Sequence, residues 1–251
     1  MIARYFFDRE LRSILFGAIE SIEVTLRTKM INCLSQKYGG YYYQDRAYFG
    51  NNERHKRCLE RLENEFLRSN EVFAQKFKCE YGVDECGRLR EYPPAWLIFE
   101  VATFGMLSMM YKNLAHQLPE KLLIAHDFGF NNQREFFGVL ELVSYVRNVV
   151  AHHSGIWARD VVKPLPLIKS QRHMWLRSQP DLIRRKPFIA ITVVLYLCNA
   201  ISMRNTVGAA DAGESYKKRI IALVEKKERL AIQGWGFPVD WRSEPIWGGN
   251  E

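Results

Sequence analysis

Residues 147–157 read RNVVAHHSGIW. An arginine and an asparagine stand side by side, and two histidines follow four and five residues after the asparagine. Imidazole takes up or releases a proton near neutral pH. Guanidinium keeps its charge and presents a planar fork that fits phosphate oxygens. Together these groups can cut RNA without a metal. A base removes the proton from the 2′-OH, the freed oxygen attacks the adjacent phosphorus, and the cation stabilises the charge on the phosphoryl oxygens. The products would be a 2′,3′-cyclic phosphate and a 5′-OH, and DNA, lacking the 2′-OH, would resist. The candidate catalytic residues are therefore Arg147, Asn148, His152 and His153.

Helix geometry qualifies this chemistry. Positions five apart point about 140° away from each other, so Arg147 must curl round or the helix must loosen near Ala151–His153. Asn148 and His152, four apart, share a face, so the amide can orient the imidazole. Proton counting adds a demand. One proton is taken and another must reach the leaving oxygen, so a second histidine is needed. Adjacent histidines on a helix diverge by about 100°. Two copies of the motif brought together in a homodimer answer this better than His153 of the same chain. The plain alternative is that arginine and histidine near a helix end simply satisfy its carbonyls and dipole.

Other histidines offer less. His55 lies on a charged helical stretch and reads as solvated, and His116, His126 and His173 have no evident partners in sequence. Neighbouring histidines are wrongly spaced for a metal on one helix face, and neither HExxH nor a cysteine cluster occurs. No metal and no cofactor are expected.

The elements that would carry the motif are helical. Leu11, Ile14, Leu15, Ala18, Ile19, Ile22 and Leu26 make one apolar stripe, predicting a helix over 8–36. Asp8 can cap its start. Asp8 with Arg12, and Glu23 with Arg27, stand four apart as on a helix surface. Gly39 and Gly40 end it. A second pattern covers 52–77, with nearly balanced charge. PPAWLIFEVATFGMLSMMYKNL predicts a core helix, kinked if anywhere at Gly105. A short helix runs from Pro119 towards Gly129. Asn131 or Asn132 then caps a helix over 133–152 with Phe136, Leu140, Val143, Val146 and Val150 buried, and the motif sits at its C-terminal end. An apolar helix follows over 188–203. At 16 residues with Asn199 inside, it falls short of the ~20 a spanning helix needs. A last helix over 212–233 opens on Asp211 and Glu214, a capping-box pair. Trp96, Trp235, Trp241 and Trp247 read as packing residues. With no repeat and no linker, one all-α domain over 1–251 is expected.

Composition narrows the partner. The formal charge is +8, and residues 153–186 carry eight basic residues against Asp160 and Asp181. This segment supplies the candidate RNA-binding residues Arg159, Lys163, Arg172 and Arg177, interleaved with Trp157 and Trp175. Cations among aromatic rings suit a polynucleotide. A solvated loop anchored by its tryptophans is the alternative. Five scattered cysteines without CxxC, and no signal-peptide pattern, point to reduced thiols and a cytoplasmic protein without a membrane anchor.

RNVVAHHSGIW resembles the signature of the Abi-like (Abi_2) abortive-infection phage-defence family. LRSILFGAIESIEVTLRTKM with YGGYYY, PPAWLIFEVATFGMLSMMYKNL and GFPVDWRSEPIW resemble further blocks of that family in the same order. The resemblance implies a HEPN-like helical bundle whose RxxxxH motif is a metal-independent ribonuclease site, usually completed across a dimer. Carried over, Arg147, Asn148 and His152 match the motif, and His153 matches a second family histidine. Gly155, Ile156 and Ala158 depart from the family pattern. The resemblance also implies toxin-like behaviour restrained in some members by a small structured RNA. Two other readings stand beside the endoribonuclease. One is a non-catalytic module that sequesters a small RNA. The other is a HEPN chain modified by a partner nucleotidyltransferase.

Overall fold

A computed structural model describes residues 2–156, 160, 164–169, 171–204 and 212–248. These residues form an all-α fold, with three isolated bridge pairings and no strand among them. The chain divides into two compact units, Met1–Val24 with Ala125–Glu251, and Thr25–Ile124.

Helix α1 spans Ile2–Tyr38 and starts six residues before the position that the capping argument selects. Asp8 is therefore internal to the helix, and it is buried. The predicted apolar stripe is buried along α1, with Ala18 half-exposed.

In the first unit, α8 (Pro187–Arg204) and α7 (Gln133–Ala151) make the two largest contributions to the core. Asn132 caps α7 by accepting from the amides of Arg134 and Glu135. The α8 segment is too apolar to have a solvent face and packs against α7 and α9 (Ala212–Lys226). Asp211, the expected cap of α9, lies outside the described residues. That last helix ends at Lys226, well short of 233, and gives way to α10 (Glu228–Leu230) and a wide turn over Ala231–Trp235. Trp235, Trp241 and Trp247 are buried as packing residues. Trp235 stacks on Phe7 at 4.1 Å, and the Trp247 indole donates to Thr192 Oγ1 at 3.2 Å. Aromatic burial of this size lets an irregular tail hold its place without regular hydrogen bonding.

Between α7 and α8, the described part of the basic segment is irregular apart from a 3-10 turn at Ile183–Arg185. Specific bonds hold it. The Gln179 amide pairs with both backbone groups of Ile168 at 3.0 and 2.8 Å, and Arg184 donates to Leu165 O at 2.9 Å. Leu165, Ile168, Trp175 and Leu176 are buried beneath it. Trp175 meets Tyr196 edge-on at 5.4 Å, so its role is anchoring.

In the second unit, the pattern over 52–77 is two helices, α2 (Asn52–Arg68) and α3 (Val72–Tyr81). Lys78 stabilises the break, donating to Leu67 O and Ser69 O at 2.9 Å each. His55 is buried, not solvated. It stacks on Phe49 and its Nε2 lies 2.7 Å from Tyr43 O. The PPAWLIFEV stretch forms only α4 (Ala95–Ile98) and a 3-10 turn (Phe99–Val101) before α5 (Phe104–Asn113). The break falls at Ala102–Thr103, two residues ahead of Gly105. Thr103 caps α5 through Met106 N, and Arg27 donates to Ala102 O at 3.2 Å. Trp96 is 54% exposed and does not serve the core. Helix α6 (Pro119–Asp127) begins in this unit and ends among the residues of the first, where Gly129 follows with a φ of +86° that suits only glycine well. Among the described residues, no helix is long and apolar enough to cross a membrane.

Candidate functional site

Helix α7 delivers the motif by burying one face and turning another outward. Phe136, Val139, Leu140, Val143, Val146 and Val150 are buried, with helical spacing. Arg147, three and four residues before Val150 and Ala151, shares their side of the helix. The helix then ends in a way that matters. His152 is the C-cap, and its amide donates to Asn148 O at 3.0 Å. The amide of His153 donates to Val150 O at 3.1 Å and that of Ser154 to Val149 O at 3.0 Å. This pair of bonds is the Schellman termination, which requires a left-handed residue at the position after the cap. That residue is His153, at φ +53°, the one non-glycine residue with positive φ among those described. Glycine is usual there, and a side chain in this conformation costs about 1–2 kcal/mol.

The chain beyond His153 is fastened to α1. The Asp8 carboxylate accepts the Ile156 amide at 3.0 and 3.3 Å and binds the Arg12 guanidinium at 2.7 Å. All three residues are buried. A buried ion pair is worth keeping only when further hydrogen bonds satisfy its oxygens, and here the Ile156 amide does so. Further along α1, the Glu23 carboxylate lies 3.8 Å from Arg147 Nε. That is ion-pair range without hydrogen-bond geometry, so it steers the guanidinium and leaves its donors available.

The two helices border a cleft of about 900 Å³. From α7 and its terminus it receives Arg147, Val150, Ala151 and His153. From α1 it receives Tyr5, Arg9, Arg12, Ser13 and Phe16. Of the sequence-predicted catalytic residues, Arg147 and His153 thus line one cavity. Asn148 and His152 are exposed and do not line it, and the bond between them runs through the main chain. The left-handed turn accounts for the sorting: it swings His153 off the helical path and towards the side occupied by Arg147. Among the described residues, no group of three His, Cys, Asp or Glu is arranged to hold a metal.

The predicted RNA-binding residues fall into two groups. Arg159 and Lys163, with Trp157, lie outside the described residues. Arg172 and Arg177 are exposed, and each is pinned through its backbone amide, to Gly129 O at 2.8 Å and to Glu244 Oε2 at 2.7 Å. Their guanidinium groups project from a fixed main chain. Two other cations of the segment have acid partners: Arg184 pairs with Asp181, and Lys186 with Asp160 at 2.7 Å.

Sequence reasoning missed Asp8, Arg9, Arg12 and Glu23 as members of this site. The four-residue spacing of Asp8 and Arg12 was a visible signal, but it reads equally well as a surface pair. Nothing local reveals that this turn of α1 meets the end of α7.

A cleft that joins a permanent cation to an imidazole can hold a phosphodiester and move a proton beside it. No curated protein and no solved structure matches the chain. The model of the Abi-like protein family matches residues 1–158, which contain α1, the whole of α7 and the arginine–histidine stretch. That match covers well over half of the chain and includes both helices bordering the cleft, so the protein belongs to the Abi-like family.

Proposed function

We propose that this protein is a metal-independent endoribonuclease of the HEPN type that acts in abortive infection. Arg147 neutralises the charge that builds on the phosphoryl oxygens. His152, exposed outside the cleft and next in sequence to His153, takes or delivers the proton, and Asn148, exposed beside it, hydrogen-bonds within the motif. His153 reaches the same phosphodiester from the cleft. The 2′-oxygen attacks phosphorus, the 5′-oxygen leaves with a proton, and the ends are a 2′,3′-cyclic phosphate and a 5′-OH. Two copies of the motif in a homodimer supply the second proton-transfer group. The observation that carries this reading is the shared cleft of Arg147 and His153, to which Arg9 adds a further cation.

The test is cleavage of end-labelled RNA in excess chelator by the purified protein, with mass analysis of the product ends. The parent should yield cyclic phosphate and 5′-OH ends, and Arg147→Ala and His152→Ala should yield none while keeping the parent's circular dichroism. Cleavage by both variants at the parent's rate would remove the assignment. The bacterial counterpart is growth arrest on expression, lost in the same variants.

A second reading, an RNA-sequestering module without catalysis, is favoured by one observation. Arg172 and Arg177 are exposed cations on a main chain fixed by hydrogen bonds. It expects tight, salt-sensitive RNA binding that survives His152→Ala, no products, and a small structured RNA copurifying with the protein.

A further inference from the structure

The α1 wall of the cleft has a composition that the catalytic motif does not explain. Helix α1 buries Phe7, Leu11, Ile14 and Leu15 on its core face. Tyr5, Arg9 and Phe16 occupy a different face, and all three line the cavity that holds Arg147 and His153. Tyr5 is 57% exposed and Phe16 is 46% exposed. Neighbouring Phe6 is exposed too, and the Arg9 guanidinium lies over its ring, 5.4 Å from the centroid. Tyr5 meets Phe6 edge-on at 5.6 Å and the Arg12 guanidinium lies 6.0 Å from the Tyr5 centroid, so these rings alternate with cations and still leave about half of their surface to solvent. Burying one such ring is worth roughly 1.5–3 kcal/mol, so several half-exposed rings on one helical stretch call for a partner that covers them.

We infer that this face is a stacking subsite for unpaired bases of single-stranded RNA, beside the phosphodiester held by Arg147. The inference rests on the nuclease reading above and names the form of its substrate. Ring faces offer stacking to any base, and interleaved guanidinium groups offer charge to the phosphates between bases. Arg9, Arg12 and Arg147 line the cavity, with Arg12 balanced by Asp8 and Arg147 near Glu23, so among the described residues Arg9 is the lining cation without an acid partner. From residue 5 to residue 16 an α-helix advances about 16 Å, enough to follow a few nucleotides of a strand. A duplex cannot use such a surface, because its bases are already stacked within the helix.

The probe is a fluorescein-labelled single-stranded RNA made uncleavable by 2′-O-methylation, with its duplex as control. Binding is read by anisotropy for the parent, Tyr5→Ala, Phe16→Ala and Phe16→Leu. Leucine keeps apolar bulk without a ring, so it holds the test open if alanine disturbs folding. Each loss of a ring should weaken single-strand binding roughly 5- to 150-fold, with duplex binding unchanged and the salt dependence unaltered. Phe16→Trp should retain the parent's affinity. Unchanged single-strand affinity in the three ring-loss variants overturns the subsite, as does an equal loss on the duplex. Sedimentation of the same samples covers the other occupant of this face. If weaker binding accompanies loss of a dimer, the rings contact a second copy and the subsite is wrong. Parent cleavage of unmodified RNA separates the two readings. Ring-dependent binding without cleavage keeps the subsite and removes the nuclease. Cleavage with ring-independent binding does the reverse.

Discussion

His153 holds a conformation that its side chain disfavours, at a helix end that a glycine would close without strain. His153→Gly should therefore raise the stability of the fold by roughly 1 kcal/mol, or about 2–4 °C in a chain of this size. The same change should lower RNA cleavage, because it removes an imidazole from the cleft. A melting temperature at or below the parent's would refute the strain argument, and undiminished cleavage would show that the residue only terminates α7. Asp8 gives a second prediction at this scale. Asp8→Asn keeps an oxygen for the Ile156 amide but leaves the buried Arg12 guanidinium without its counter-charge. About 3 kcal/mol or more should be lost in chemical denaturation. The double change Asp8→Asn with Arg12→Met should recover part of it, and a double variant no more stable than the single one would disprove charge burial as the cause. These residues also mark how far the site could be read from sequence. Arg147, Asn148 and the histidine pair are legible because their types and spacing are chemical. Asp8 and Arg12 were visible as a pair but not as a clamp. Spacing along one helix does not say which second helix covers it.

Where helices begin and break depended on single polar groups more than on propensity. The apolar stripe of α1, the Asn132 cap and the burial of α8 follow from periodicity, and these could be anticipated. The break between α2 and α3 could not, because it is stabilised by the Lys78 ammonium on the carbonyls of Leu67 and Ser69. Nor could the burial of His55, which depends on Phe49 and on a carbonyl at Tyr43. The joint between α5 and α6 belongs to the same class. The Lys121 ammonium donates to Lys112 O and Leu114 O at the end of α5, and burial pushes its pKa down to about 8. A lysine whose folded pKa lies below its unfolded value near 10.5 binds its proton more weakly when folded. Between about pH 8 and 10 the unfolded chain then carries the extra proton, so this group makes stability rise with pH, by up to about 1.4 kcal/mol per unit. Lys121→Met should abolish that rise and lose the two carbonyl bonds, so its deficit against the parent should be smallest near neutral pH and widest near pH 10. Denaturation curves for both proteins across this range provide the check. A parent whose stability relative to Lys121→Met stays flat from pH 8 to 10 would contradict the burial effect.

For the molecule as a whole, the question is what its surplus of eight positive charges does. A net charge says that polyanions are attracted and says nothing of where they sit. In the basic segment, Arg184 and Lys186 are committed to Asp181 and Asp160. Arg172 and Arg177, exposed on a pinned main chain, are the two described members of the predicted RNA-binding set, and Lys169 and Arg185 are exposed in the same segment. Each single-strand phosphate neutralised by a cation contributes about −0.7 to the slope of log affinity against log salt. If Arg172 and Arg177 each hold one phosphate, the double change to alanine should flatten the slope by about 1.4. It should also weaken binding by a similar factor for unrelated sequences, since phosphate contacts carry no base information. Under the nuclease reading, cleavage at saturating RNA should keep the parent's rate, because neither residue touches the reacting atoms. Under the sequestration reading, this variant should lose the copurifying RNA while Arg147→Ala keeps it. A salt slope superimposable on the parent's would assign both arginines to solvent, and the attraction for RNA would then rest on other cations, Arg9 and Arg147 of the cleft among them.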